Sequence, residues 1–167
     1  MKKKNDPFVV ATHEAGHAVV ALALGLEITE MSIVLKDPVA VSYAPASSMD
    51  LMRIKSAGNR AVYIAEGCCP QTPRTAYTIE ANLQWEGMQP ERLIHKLQKN
   101  GDLYPCSRIV HEMVSADVEA HLLLTLHWNK VEQLRDALLR KKRMNGDEVL
   151  ALLGETPGAA YREACCA

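Results

Sequence analysis

The residues that carry chemistry are concentrated in His13-Glu14-Ala15-Gly16-His17, an HExxH pattern within a stretch that reads as helix. Residues four apart on a helix are neighbours on one face, with Cβ atoms about 5–6 Å apart. Two imidazoles at that spacing can both reach one metal ion at roughly 2.0–2.1 Å. Glu14 is turned about 100° from His13, which sets it beside such an ion, next to a bound water. Zinc is the natural metal for two histidines, a carboxylate and one open position. It lowers the pKa of a bound water to about 7 and polarises a scissile carbonyl. Glu14 can then take the water's proton as general base and hand it to the departing amine. The expected reaction is peptide-bond hydrolysis. Two other readings stay open: a non-catalytic zinc- or peptide-binding adaptor, and a helical interaction domain in which both histidines are hydrogen-bonded core. The intact Glu14 speaks against the first. The cost of burying His, Glu and His without a partner speaks against the second.

Two histidines do not complete a site. The extended HExxHxxGxxH form is absent, because Val20 and Ala23 stand where its glycine and last histidine belong. Asp102 is the first choice for a third ligand, since it follows a Gly turn at an expected helix start. Glu66, near the end of the middle helix, is the second. His111 and Glu112 are weaker, because Ser115 fills the second histidine position of what would be another HExxH. Cys106 lies one turn after Asp102 and can face a metal or serve as a small buried apolar residue. His95, His121 and His127 read as ordinary surface or core histidines.

The elements that must position these residues follow from local signals. Asp6 suits an N-cap and Pro7 the first helical position. Phe8 to Leu24 is a largely apolar helix, closed by Gly25. Ile28–Lys36 and Val39–Tyr43 read as two strands joined by a turn at Asp37-Pro38. A helix over Met49–Gly67 starts from Ser48 or Asp50. Residues 68–90 hold Pro70, Pro73, Gly87 and Pro90 and read as a long loop. Glu91–Gln98 is helical and ends at Asn100-Gly101. Asp102 caps a following helix, with Pro105 in its first turn. Ser115 opens a long amphipathic helix to about Arg143, with Leu122, Leu123, Leu126 and Leu134 as core. Its end carries Arg140-Lys141-Lys142-Arg143, where positive charge favours the helix dipole. Asn145-Gly146 closes it, and Asp147 caps a last short helix ending at Gly154.

Composition bounds the rest. The chain has 167 residues, enough for one domain with its own core. Lys plus Arg is 19 and Asp plus Glu is 20, a balance that argues against nucleic acid as partner. Cys68, Cys69, Cys106, Cys165 and Cys166 are odd in number, include two adjacent pairs and show no CxxC spacing. They read as reduced thiols of a cytoplasmic protein rather than a disulfide framework. No run of eighteen apolar residues occurs, so no integral membrane segment is expected. The expected fold class is mainly α with a small β-sheet. Residues 1–6 form a tail, 7–154 the domain and 155–167 a second tail.

The segment Ala11-Thr12-His13-Glu14-Ala15-Gly16-His17-Ala18-Val19-Val20-Ala21-Leu22 resembles the active-site helix of the FtsH-type membrane-bound AAA+ zinc proteases. Ile28–Val34 and Val41-Ser42-Tyr43 resemble the strands that follow it in that family. Gly58 to Gly67 is similar to a divergent form of the family's AGRAAEE helix. Asn100-Gly101-Asp102-Leu103 stands where the family has Ser-Asn-Asp-Leu, and Met144 to Leu153 is similar to its closing motif. The resemblance spans about residues 8–154. It implies His13, His17 and Asp102 as zinc ligands, Glu14 as catalytic acid/base, and a helical peptidase domain whose edge strand can pair with an extended substrate. Against the family, these 167 residues show no Walker-type loop, and neither an ATPase domain nor a membrane anchor is expected. The expected substrates are therefore peptides or unfolded protein. A homo-oligomer or a separate ATPase chain remains open as partner.

Overall fold

The computed structural model describes residues 6–34, 41–43, 47–67, 84, 89, 98, 99, 101 and 105–155. Among these, five longer helices and three short strands follow one another as α1 (Pro7–Ala23), β1 (Ile28–Ser32), β2 (Val41–Tyr43), α2 (Ser48–Ala65), α3 (Pro105–Leu126), α4 (Trp128–Lys141), β3 (Arg143–Asn145) and α5 (Gly146–Leu153). The chain is mainly helical with a small antiparallel sheet, as expected.

Helix α1 starts where its local chemistry dictates. The Asp6 carboxylate accepts from the Phe8 N–H at 2.9 Å, Pro7 occupies the first turn, and Gly25 takes φ 78° just past the end. Every residue from Ala11 to Leu22 is buried. A helix buried on all sides needs neighbours on all sides, and α1 packs against α2, α3 and α4 and against β1. Its core face joins Ala15, Ala18 and Val19 to Ile54, Ala57 and Ala61 of α2 and to Leu134 and Leu138 of α4. A smaller cluster of Met52, Ile109, Met113 and Ala116 ties α2 to α3.

Helix α2 begins one residue before the expected span. Its cap is Ser47, whose hydroxyl accepts from the Asp50 N–H at 3.1 Å, rather than Ser48 or Asp50. Gly67, at φ 69°, follows its end. The expected break at Ser115 does not occur. Helix α3 runs unbroken from Pro105 to Leu126, because Met113, Ala116, Ala120 and Leu124 continue one buried face through that position. The chain instead bends at His127 (φ −112°, ψ 26°), where it leaves its packing on α2 for packing on α1. The same bend overturns part of the expected core. Leu134 is fully buried and Leu123 partly so, but Leu122 and Leu126 are 60 % and 70 % exposed on the outer side of α3.

The sheet has three strands, in the order β2-β1-β3. The third, Arg143–Asn145, was not expected. It exists because Met144 is buried opposite Met31 of β1, with Arg143 bridging to Glu30 at 3.1 Å. Helix α4 therefore ends at Lys141, and Lys142 turns the chain at φ 67°. The cap of α5 is Asn145, not Asp147. Its side chain accepts from the Glu148 N–H at 2.9 Å while the Glu148 carboxylate accepts from the Asn145 N–H at 3.0 Å, a reciprocal capping box. Apart from residues 84, 89 and 98, the loop expected over 68–90 and the helix over 91–98 lie outside the described residues, as do most of both tails. No helix among the described residues is long and apolar enough to cross a membrane.

Candidate metal centre

His13, Glu14 and His17 all lie on α1, and all three are buried. The two imidazoles come together as their spacing requires. Their ring planes are perpendicular with centroids 4.5 Å apart, and the two Nε2 atoms face each other at 3.0 Å. A tetrahedral ion held at the usual zinc–nitrogen distance would separate its two nitrogens by about 3.3 Å, so a shift of a few tenths of an ångström, with loss of the proton that the hydrogen bond between the two Nε2 atoms requires, converts one arrangement into the other.

The second helix orients the pair. His17 Nδ1 lies 2.6 Å from the backbone carbonyl oxygen of Ile54 on α2. A carbonyl can only accept, so Nδ1 carries the proton and Nε2 keeps its lone pair. This is the second contact that a metal-binding histidine ordinarily makes, fixing both tautomer and ring orientation.

Two glycines let the helices approach closely enough for that bond. A Cβ on Gly16 would stand 2.7 Å from the Ala61 Cβ and 2.9 Å from the Ala57 carbonyl oxygen. A Cβ on Gly58 would stand 2.6 Å from His17 Nε2 and 2.7 Å from His13 Nε2. Both rings thus lie directly against the bare Cα of Gly58, where any side chain would collide with them. Paired Nε2 atoms and a fixed His17 tautomer fit a divalent metal ion.

The other sequence candidates fall into two groups. Asp102, His95 and the side chain of Cys106 lie outside the described residues. Glu66 caps the far end of α2, exposed and eight residues past Gly58, which is about 12 Å along the helix axis, so it is not brought to the pair. His111 is exposed on α3, and Glu112 accepts from Arg108 Nε at 2.9 Å. His127 is buried at the α3–α4 bend. Among the described residues no three His, Cys, Asp or Glu side chains form a cluster able to hold a metal. The histidine pair therefore takes its third protein ligand from elsewhere in the chain if it follows the usual zinc pattern.

Sequence reasoning missed Gly58 and the Ile54 carbonyl. For Gly58 a signal was available, because glycine inside a helix costs about 1 kcal/mol relative to alanine and calls for a packing reason. For a backbone carbonyl on another helix there was none.

Three residues of the run Arg140-Lys141-Lys142-Arg143 have local partners. Lys141 pairs with Glu148 at 2.7 Å, Lys142 donates to the Leu139 carbonyl at 2.8 Å, and Arg143 pairs with Glu30. Comparison of the sequence with protein-family models and with curated proteins gives no match.

Proposed function

We propose that this chain is a zinc metallopeptidase domain of the FtsH type, cutting peptides or unfolded protein. His13 and His17 hold the ion, with Asp102 as third ligand, and Glu14 is the general base. The observation that carries this reading is the facing pair of Nε2 atoms with the His17 tautomer set by the Ile54 carbonyl. When bound, zinc supplies an activated water and an electrophile for the scissile carbonyl. The chain's own residues do the remainder. His17 is locked to present a lone pair at Nε2. Glu14, the next residue along α1 from His13, accepts a proton from the attacking water and delivers it to the leaving amine. Burial of all three side chains in one helix keeps the geometry fixed without a large conformational step.

The test joins metal analysis to cleavage of an unfolded protein such as casein. Wild-type protein should carry one zinc per chain and cleave. Glu14→Gln should keep the zinc and lose about 10²- to 10⁴-fold in rate. Zinc uptake with no cleavage by either protein would favour the non-catalytic adaptor. Absence of zinc uptake by the wild type would sink the metal reading altogether.

A further inference from the structure

The arrangement of α2 behind the histidine pair goes further than the motif on α1. Helix α2 offers two features one turn apart, the Ile54 carbonyl and the bare Cα of Gly58. The carbonyl orients His17. The bare Cα lets both imidazoles lie against α2 with their Nε2 atoms together. We propose that Gly58 is a positioning residue that determines whether the histidine pair can take a metal ion. The proposal rests on the metallopeptidase reading for what the ion is used for, but its steric basis is independent of any catalysis.

A methyl group at residue 58 would stand 2.6 Å from His13 Cε1 and His17 Nε2 and 2.7 Å from His13 Nε2. Carbon atoms do not tolerate such contacts, so something must move. The backbone of α2 is held, because Ala57 and Ala61 bear directly on Gly16 of α1. The imidazoles are the ends of rotatable side chains and yield first. Turning them away breaks the His17–Ile54 hydrogen bond and separates the two Nε2 atoms. Gly58→Ala thus leaves both histidines and Glu14 in the sequence and removes the site.

The experiment measures zinc content after dialysis, zinc affinity by competition with a chromophoric chelator, and the visible absorption of the cobalt-substituted protein. Gly58→Ala should retain the helical circular dichroism and cooperative unfolding of the metal-free wild type. Its zinc affinity should fall about 10- to 100-fold or more, the loss usual when the support of a ligand is removed, and its cobalt spectrum should weaken or change. A double-mutant cycle guards against a simple folding defect. His13→Ala removes two of the three close contacts, so Gly58→Ala should lower the thermal midpoint less in the His13→Ala background than in wild type. Zinc-binding wild type alongside Gly58→Ala with unchanged affinity and cobalt spectrum overturns the role of Gly58 alone. An equal stability effect in both backgrounds overturns it as well, since the clash would then not be with the ring. Wild-type protein that takes up no zinc overturns the metallopeptidase reading and this role with it.

Discussion

Gly16 and Gly58 stand in the same helix crossing, yet a methyl group meets different things at each. At Gly58 it meets ring atoms, which can rotate. At Gly16 it meets the Ala57 carbonyl oxygen and the Ala61 Cβ, which are backbone or one bond from it. Gly16→Ala must therefore push α1 and α2 apart, and overpacking of that kind costs about 1–3 kcal/mol. We expect a lower urea midpoint for Gly16→Ala with an unchanged denaturant slope, measured on metal-free protein. A midpoint equal to wild type would show that the crossing has slack, and that the histidine pair is not held by helix contact. Gly146 presents a third case. A Cβ there would fall 2.0 Å from the Ile28 carbonyl oxygen of β1, so Gly146→Ala must displace α5 from the sheet. Its thermal midpoint should drop while zinc affinity stays near the wild-type value, since α5 packs chiefly on β1, β3 and α4 rather than on the crossing of α1 with α2.

At the scale of elements, α2 is held to α3 by more than the Met52 cluster. Arg60 of α2 and Asp117 of α3 form a fully buried ion pair, and Arg53 pairs with Glu119 nearer the surface. Arg60 Nε and the Ser56 hydroxyl one turn earlier have no hydrogen-bond partner among the described residues, so the buried polar group is only partly satisfied. Truncating one member leaves the other as an uncompensated buried charge. Asp117→Ala should cost about 3–5 kcal/mol, whereas replacing both by apolar residues, Arg60→Met with Asp117→Leu, should be close to neutral or stabilising. Denaturant titration of the two singles and the double checks this, and a double as unstable as Asp117→Ala would mean that the pair is needed to seat α2 correctly. Much of this layer was legible in advance. Asp6, Pro7, Gly25, Gly67 and Gly154 mark helix ends because capping is decided within a few residues. The facing of His13 and His17 was legible for the same reason, being fixed by helical spacing alone. What could not be read was set by distant partners. Strand β3 is three residues long, too short for an alternation to show, and pairs because Met144 meets Met31. The bend at His127 has no Gly or Pro, and occurs where the two helices it joins pack on different neighbours. The carbonyl that holds His17 is 37 residues away in sequence.

At the scale of the whole molecule, that bend joins the half of the fold that covers α2 to the half that covers α1, and it carries a titratable group. Burial, and then the nearby Lys130 charge, hold the His127 imidazole below the ordinary histidine value of 6.5, with Glu155 pulling weakly the other way. Lys130 is itself paired to Glu155, which follows the end of α5. The unfolded chain therefore binds a proton at residue 127 at a higher pH than the folded one does. Stability from keeping this ring neutral is fully present above the unfolded value and is lost as pH falls through 6.5 toward the lower folded value. Protonation there places a second positive charge beside Lys130 at the point where α3 turns into α4, so it loosens both halves together. Urea midpoints of metal-free wild type and His127→Gln between pH 8 and pH 5 isolate this contribution, because every other side chain is common to both proteins. The expected result is a steeper fall for the wild type below about pH 6.5. Parallel curves would mean that the bend opens to solvent freely, and that the two halves are not coupled through this ring.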